Sequence, residues 1–445
     1  MPKKIFIHTL GCQMNERDSE QAAAQFQQRG YKLVKSETEA DVILLNTCSV
    51  RDFAEQKAIR KMENLRALKR RNPRLILGFL GCMAQSRGRE LLEQLPEVDL
   101  VLGTQRLHHL ADHVDALLQN GKKIVDVASE ENAQNAVRDH LLAPKQATAF
   151  VSIMQGCDMR CSFCIVPSTR GRQRSRPMND ILAEIRALTA QGVREVTLLG
   201  QIVNRYGFRE FPVVNKKTPF VQLLYALEKI KDLARVRFAS PHPIGMTDDL
   251  AQAFRELKKL CSHTHLPLQS GSDAMLKKMK RGYTAAQYRK TVDKLRAARP
   301  DIAFTTDIIV GFPGETEKDF LQTYALVEEV AFDNAFIFKY SPRKDTPAAS
   351  MTDQIPQEIK EQRNLELLRL IDRIAAPKSK ALKGTTVEVL VEGPSKNNPA
   401  RLSGRTSANK IVIFEGGEQH YGKLLPVRIE DATEFTLYGK LTNLN

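Results

Sequence analysis

Thr148-Ala149-Phe150-Val151-Ser152-Ile153-Met154 runs almost directly into Gly156-Cys157-Asp158-Met159-Arg160-Cys161-Ser162-Phe163-Cys164. A short apolar run that ends at a cysteine-bearing loop reads as a buried strand delivering a site at its carboxyl end. The C-x3-C-x2-C spacing supplies three thiolates where a cubane iron–sulfur cluster ordinarily takes four, so one iron stays open to an exogenous ligand. The alternative is a zinc site or a buried thiol cluster. Zinc motifs usually pair C-x2-C with a second such pair or with histidines, and none follows here, which favours iron and sulfur.

Downstream, residues 195–200, 235–240, 263–268, 303–310 and 335–340 are further strand candidates separated by helical patterns. In one of these, Asn179-Asp180 caps a helix carrying Ile181, Leu182, Ile185 and Leu188 that Gly192 closes. Six βα units make an incomplete form of the eight-unit barrel, whose chemistry sits in the loops after the strands. Those loops hold Gly200-Gln201, Pro241-His242, Gln269-Ser270-Gly271 and Gly311-Phe312-Pro313-Gly314-Glu315. Each alone is equally an ordinary turn; together they ring the mouth where an open iron would sit. Arg170, Arg172, Arg174 and Arg176 follow with a period of two, and an extended chain would line one edge with four guanidinium groups. That edge is either phosphate-binding or simply solvated.

Upstream, residues 4–10, 41–47 and 75–80 are apolar runs that end at Cys12, Cys48 and Cys82, about 35 residues apart, the length of one βαβ unit. Parallel strands point the same way, so the three thiols gather at one carboxyl edge, where open α/β sheets bind ligands. Three ordinary buried cysteines are the alternative, but their identical placement favours a second cluster. Helices are expected over 19–30 and 54–71. The latter is rich in Lys57, Arg60, Lys61, Arg66, Lys69, Arg70 and Arg71, either a solvated face or an RNA contact. A strand at 98–103 and a helix at 107–118 complete this unit, and the polar stretch 128–145 reads as a linker.

Beyond the loop 341–347 and a helix at 357–376, short strand candidates at 385–391, 410–414, 427–429 and 435–441 predict a small all-β barrel. Such barrels often bind oligonucleotides. This one has few aromatics for base stacking, which points to backbone contact and shape recognition. The expected architecture is therefore α/β throughout, with a parallel-sheet unit over 1–125, a partial (β/α)6 barrel over 145–375 and a small β-barrel over 378–442.

Composition agrees with that division. At 445 residues and a prior of roughly 150 per domain, about three domains are expected. Hydrophobic residues at 42% and charged residues at 27% describe a globular chain, and no apolar run approaches the roughly 18 residues of a membrane span. The N-terminus lacks the small-residue cleavage site of a secretory signal. Seven cysteines without a dense framework argue for a reducing compartment, so the cytoplasm is expected. Lys and Arg number 67 against 52 Asp and Glu, a formal net charge of +15, and favour a polyanionic partner such as RNA or DNA.

These motifs together resemble the radical S-adenosylmethionine (SAM) superfamily, and within it the methylthiotransferases of the tRNA-2-methylthio-N6-dimethylallyladenosine synthase (MiaB) family. The stretches that carry the resemblance are Thr9-Leu10-Gly11-Cys12-Gln13-Met14-Asn15, Asn46-Thr47-Cys48-Ser49-Val50-Arg51, Gly81-Cys82-Met83-Ala84, Cys161-Ser162-Phe163-Cys164-Ile165-Val166-Pro167, Leu266-Pro267-Leu268-Gln269-Ser270-Gly271-Ser272-Asp273 and Ile309-Val310-Gly311-Phe312-Pro313-Gly314-Glu315. The resemblance covers nearly the whole chain and implies an N-terminal methylthiotransferase domain, a radical SAM core and a C-terminal TRAM domain that binds tRNA. It implies two 4Fe-4S clusters as metal cofactors, one on Cys157, Cys161 and Cys164 and an auxiliary one on Cys12, Cys48 and Cys82. SAM is implied near Phe163, Gly200, Gln201, Gln269, Ser270, Gly311 and Phe312.

The implied reaction uses one SAM to methylate a sulfur at the auxiliary cluster. A second SAM yields the 5′-deoxyadenosyl radical that attacks carbon 2 of the prenylated adenosine at position 37, in the tRNA anticodon stem-loop. A reducing protein as electron donor, no membrane association and a monomer are expected. No side chain is assigned as general acid or base, because the aromatic C–H is opened by a radical. Ile202, Pro241 and Asp345 stand where that family usually shows Asn, Ser and Gly, which touches SAM and substrate contacts and no iron ligand. Sibling methylthiotransferases, acting on threonylcarbamoyladenosine in tRNA or on a ribosomal protein aspartate, share both cysteine sets; Gln13-Met14-Asn15 favours the prenyl-adenosine branch. A non-catalytic iron–sulfur RNA-binding protein is the reading from a different class. Cys261 falls in no motif and is expected to be a buried thiol.

Overall fold

Apolar strands followed by helices build the first unit. In a computed structural model that describes residues 2–49, 52–130 and 132–442, it contains β1 (Lys4–Leu10), α1 (Gln13–Gln28), β2 (Lys32–Leu33), β3 (Val42–Thr47), α2 (Asp52–Arg71), β4 (Ile76–Gly81), α3 (Cys82–Arg87), α4 (Glu90–Gln94), β5 (Leu100–Leu102), α5 (Leu110–Asn120) and β6 (Ile124–Asp126). The strands pair in the order β2-β1-β3-β4-β5-β6, all parallel. Every residue of β3 and β4 is buried because helices cover both faces. Ile43, Leu45, Leu77 and Phe79 pack on one face and Val42, Leu44, Ile76 and Leu80 on the other, the alternation a pleated strand imposes.

Two features depart from expectation. α1 begins at Gln13, well before residue 19, because Cys12 is its N-cap: the Cys12 amide donates to Asn15 Oδ1 (3.3 Å). Its first turns bury Asn15, Arg17 and Asp18, so no apolar pattern marks them. The stretch expected as a linker is instead packed. Ala133, Gln134 and Val137 are buried, Asp139 exchanges hydrogen bonds with Gln21 (2.7 and 3.0 Å), and His140 bridges Glu20 (3.1 Å) to Glu184 (2.6 Å).

The second unit comprises β7 (Thr148–Ser152), β8 (Met154–Gln155), α6 (Val166–Arg170), β9 (Arg174–Ser175), α7 (Met178–Ala190), β10 (Glu195–Leu199), α8 (Pro219–Glu228), β11 (Arg235–Phe238), α9 (Asp248–Glu256), β12 (His263–His265), α10 (Asp273–Lys278), α11 (Ala285–Ala298), β13 (Ala303–Val310), α12 (Glu317–Val330), β14 (Asn334–Lys339) and α13 (Gln357–Lys380). Parallel strands β7-β10-β11 and β12-β13-β14 are joined by Val236 N to Lys259 O (2.7 Å) and Cys261 N to Val236 O (3.0 Å), making one arc of six. All six expected strands are present, and α7 and α11 supply apolar stripes to the core beneath them.

The third unit is a closed barrel in the order β15-β16-β17-β19-β18, from β15 (Thr386–Pro394), β16 (Arg401–Arg405), β17 (Ile411–Glu415), β18 (Leu424–Ala432) and β19 (Thr436–Leu441). It docks on the second unit through two arginines of β11. Arg235 donates to Arg405 O (2.7 Å) and pairs with Glu388 (3.0 Å). Arg237 donates to Thr406 O (2.6 Å), Ser407 O (2.9 Å) and buried Glu195 (2.7 Å). Among the described residues no helix is long and apolar enough to cross a membrane.

Replacing Arg237 with Met strands the Glu195 carboxylate and two barrel carbonyls. A loss of about 3–5 kcal/mol is expected, read as a lowered unfolding midpoint and faster proteolytic release of the barrel.

Candidate active site

The C-x3-C-x2-C loop is held between β8 and β9, which pair antiparallel. Gly156 has φ +81°, and a Cβ there would lie 1.9 Å from Arg172 O, so only glycine admits the returning chain. Cys157 N donates to Gly171 O (3.0 Å) and Cys164 N to Cys161 O (3.1 Å). Ser162 ties the loop to the far wall, donating from its amide to Met279 O (3.1 Å) and from its hydroxyl to Lys278 O (2.8 Å). Burial pushes Cys157 up to about 11 and Cys164 up to about 12, so their free thiols hold protons that a metal must displace. Buried Arg281, which motif reading missed, donates to Cys161 Sγ (3.4 Å).

The other three cysteines lie at the carboxyl edge of adjacent strands. Cys12 caps α1 after β1, Cys48 follows β3, and Cys82 opens α3 after β4. A buried network aligns these ends: Asn15 Nδ2 donates to Asn46 Oδ1 (3.1 Å), and Asn46 Nδ2 donates to Asn15 O (2.9 Å) and Ser19 Oγ (2.9 Å). Cys12 is exposed at the rim, and its thiol meets that of Cys48. That hydrogen bond, aided by Arg170, holds Cys12 below the usual thiol range, whereas burial pushes Cys82 up.

The donor sets fit clusters better than single ions. Tetrahedral zinc, with Zn–S near 2.3 Å, needs sulfurs roughly 3.8 Å apart. Neither triplet draws all three sulfurs within 4.8 Å of one another. Among the described residues the group that converges that closely is His108, His109 and Glu130, and Arg106 already pairs with that glutamate.

The segments that carry the two cysteine sets meet at one interface. α6 follows Cys164 and ends in Arg170, whose guanidinium is 2% exposed and pairs with Asp18 of α1 at 2.6 Å. It lies against Cys82 and Cys12, and its hydrogen bond to Cys82 favours that thiol's deprotonated form against burial. Thr104 Oγ1 donates to Thr169 O (2.6 Å), and Arg174 to Gln105 Oε1 (2.6 Å). Arg176 pairs with Glu184 (2.6 Å) and donates to Ser152 O (2.7 Å). The expectation of four arginines lining one extended edge is thereby corrected. Arg170 is helical, Arg170 and Arg176 are buried, Arg174 is turned into the interface, and only Arg172 is exposed. In helix α2, Lys61, Arg66 and Lys69 pair with Glu37, Glu97 and Asp99, while Lys57, Arg60, Arg70 and Arg71 are exposed.

The loops after the strands form a rim above the first triplet. Gly200 sits where a Cβ would meet Met154 Cγ at 2.5 Å. Gln201 Oε1 and His242 Nε2 are buried without hydrogen-bond partners among the described residues, the condition a bound polar molecule relieves. His242 Nδ1 accepts from Ile244 N (3.2 Å), and burial with Arg281 nearby pushes this imidazole down to about 2, so it is neutral. Gln269 adopts φ +67° and its carbonyl accepts from Ile309 N (2.9 Å).

Ser270, Gly311 and Phe312 are used internally. Ser270 Oγ meets Thr323 Oγ1 (3.2 Å), Gly311 N donates to Glu315 Oε2 (2.6 Å), and buried Phe312 stands edge-on to half-buried Phe163 with ring centroids 6.5 Å apart. Asp345 has φ +66°, the left-handed conformation that glycine adopts most readily. Cys261 is buried beside Arg237, away from both triplets, and burial pushes it up to about 11.

Residues 4–103 match the family described as Uncharacterized protein family UPF0004, residues 151–327 the Radical SAM superfamily and residues 380–442 the TRAM domain. A curated protein of Akkermansia muciniphila named tRNA-2-methylthio-N(6)-dimethylallyladenosine synthase is 54% identical over 453 residues, covering 99% of this chain and 98% of its own. The chain belongs to that synthase family. A protein of the same name from Methylacidiphilum infernorum is 53% identical over 438 residues, covering 98% of this chain and 94% of its own. Among solved structures, the radical SAM methyltransferase TsrM from Kitasatospora setae aligns with a TM-score of 0.56 at 13% identity, covering 78% of this chain and 75% of that one. The cobalamin-dependent radical SAM enzyme OxsB aligns at 0.55 and 14%, covering 84% and 56%. Both show a shared fold.

Arg170→Met leaves Asp18 buried and unpaired between the domains. It should cost about 3–5 kcal/mol in thermal unfolding, with partial recovery in Arg170→Lys. Gly156→Ala should remove iron from the first triplet while the auxiliary set keeps its own, read by anaerobic iron analysis.

Proposed function

We propose that this chain methylthiolates carbon 2 of N6-dimethylallyladenosine at position 37 of tRNA, as a radical SAM enzyme with SAM and 4Fe-4S clusters as cofactors. What supports this reading is Arg170, on the helix that follows Cys164, lying against Cys82 and paired with Asp18 of the first unit, in a chain 54% identical to a synthase of that name with 99% of this chain covered. When bound, the clusters and SAM supply the electron, radical, methyl and sulfur chemistry that opening an aromatic C–H demands.

The chain's own residues position and enclose that chemistry. Cys157, Cys161 and Cys164 hold one cluster, and Cys12, Cys48 and Cys82 hold the auxiliary one. Phe163, Gly200, Gln201 and Gln269 border the SAM pocket, and Ser270, Gly311 and Phe312 shape its walls from behind. Gln201 Oε1 and neutral His242 Nε2 offer polar contacts, as an acceptor and, in the tautomer set by the Nδ1 bond to Ile244, a donor. No side chain moves a proton in the step that opens the C–H bond.

The functional units are residues 1–125, 145–375 and 378–442, the last being the TRAM barrel that contacts tRNA. The anticodon stem-loop is the part engaged, a reducing protein delivers electrons, and the enzyme works as a monomer in the cytoplasm.

Reconstituted enzyme given SAM and reductant under anaerobic conditions should add a methylthio group to prenylated tRNA and little to unprenylated tRNA, measured by nucleoside mass spectrometry. Equal modification of both, or of neither, defeats the substrate assignment. Preference for threonylcarbamoyl tRNA or a ribosomal protein would move the chain to a sibling activity, and absence of 5′-deoxyadenosine would indicate a non-catalytic protein.

A further inference from the structure

The loop after β10 carries an exposed aromatic that neither core explains. Phe208 is 58% exposed, and the Arg205 guanidinium stacks on its ring at 4.1 Å from the centroid. One face of the ring is therefore backed by a planar cation while much of the ring meets solvent.

This loop is rigid on both flanks. Gln173 Nε2 donates to Arg205 O (2.9 Å), Gly207 N donates to Ser175 Oγ (2.9 Å), and Ser175 N donates to Glu210 Oε1 (2.6 Å). Tyr206 and Phe211 pack ring to ring at 5.6 Å, and Tyr206 Oη donates to Arg176 O (2.7 Å). The residue after Phe208 reaches the cluster loop itself: Arg209 pairs with Asp158 (2.9 Å), the neighbour of Cys157, and Asp158 Oδ1 accepts from Gln173 N (3.1 Å). Phe208 thus stands at the rim of the site, fixed by the segment that carries the cysteines. Arg209, the next residue in the chain, is exposed, as are Arg172 and Lys216 on the segments that flank this loop in sequence.

We propose that Phe208, backed by Arg205, is a stacking platform for an unpaired nucleobase of the substrate RNA next to the reacting adenosine. The inference rests on the tRNA reading above. Single-stranded RNA is gripped by aromatic rings and arginine planes on which unstacked bases lie, with cations nearby for the phosphates. The loop offers that combination. In the barrel Phe435 is less exposed, at 38%, and the cation over Tyr421, Lys145, stands farther from its ring, at 5.9 Å, so the loop after β10 offers the fuller platform. An exposed ring beside cations on a chain of net charge +15 suits an aromatic polyanion.

The test uses the full-length reconstituted enzyme and full-length prenylated tRNA. Phe208→Ala should weaken tRNA binding, measured without turnover by filter retention, by roughly tenfold, and raise KM for tRNA similarly with kcat little changed. Phe208→Trp should bind as well as wild type or better. Iron content equal to wild type in both variants verifies that the exposed position leaves the fold intact. Wild-type affinity in Phe208→Ala, or a Trp variant as weak as the Ala variant, overturns the platform. Binding is read apart from chemistry, so failure of the wild-type enzyme to methylthiolate this tRNA would count against the parent function alone.

Discussion

A buried ion pair, Arg170 to Asp18, fixes the relation between the two halves of the site. Each half is built on its own parallel sheet, and nothing in either sheet alone dictates that their carboxyl edges should meet. The guanidinium sits in an almost dry interface, 2.6 Å from its carboxylate and against two thiols of the other domain. A buried pair of this kind often gives little net stability, since both charges lose water. Its effect is on geometry: with either partner misplaced, a bare charge would remain inside. Arg17, Arg176, Glu184 and His140 repeat the device at a second point of the same interface, so the two units are clamped twice.

Local geometry then places each thiol. On the first sheet, strand direction alone collects Cys12, Cys48 and Cys82 at one edge, and the Asn15–Asn46 pair sets their register. On the second, glycine at 156 permits a hairpin so tight that any side chain would strike backbone. The rim is made differently, from turns whose polar atoms are partly spent on structure. Gln201 and His242 keep atoms unspent, while Ser270 and Gly311 direct theirs inward.

Much of this was legible in the chain. The strands β1, β3 and β4 and the six of the arc announce themselves as short runs between helical patterns, most plainly β3 and β4, whose two faces are both covered, and on the first sheet the cysteines stand where those runs stop. The elements that escaped notice lack that signal. β2 is two exposed residues, β6 is three half-buried ones, and β16 centres on Ser403-Gly404, where the close approach of Leu390 O requires glycine. The start of α1 and the packing of Asp139 and His140 are hidden because they are made through polar pairs, which no hydrophobic period reveals. The arginines were misread for the same reason: a charged residue carries no mark in sequence of whether it meets solvent or a carboxylate 152 positions away. Arg281 likewise acts through a contact made only in three dimensions.

The central claim is that two clusters share one chamber. Electron paramagnetic resonance on the anaerobically reconstituted, fully reduced protein tests it most directly, compared with the Cys12/Cys48/Cys82 and Cys157/Cys161/Cys164 triple-alanine variants. Magnetic coupling in the wild-type spectrum that is absent from both variants is the expected result. A wild-type spectrum equal to the sum of the two single-cluster spectra, or protein that carries zinc in place of iron, would contradict it.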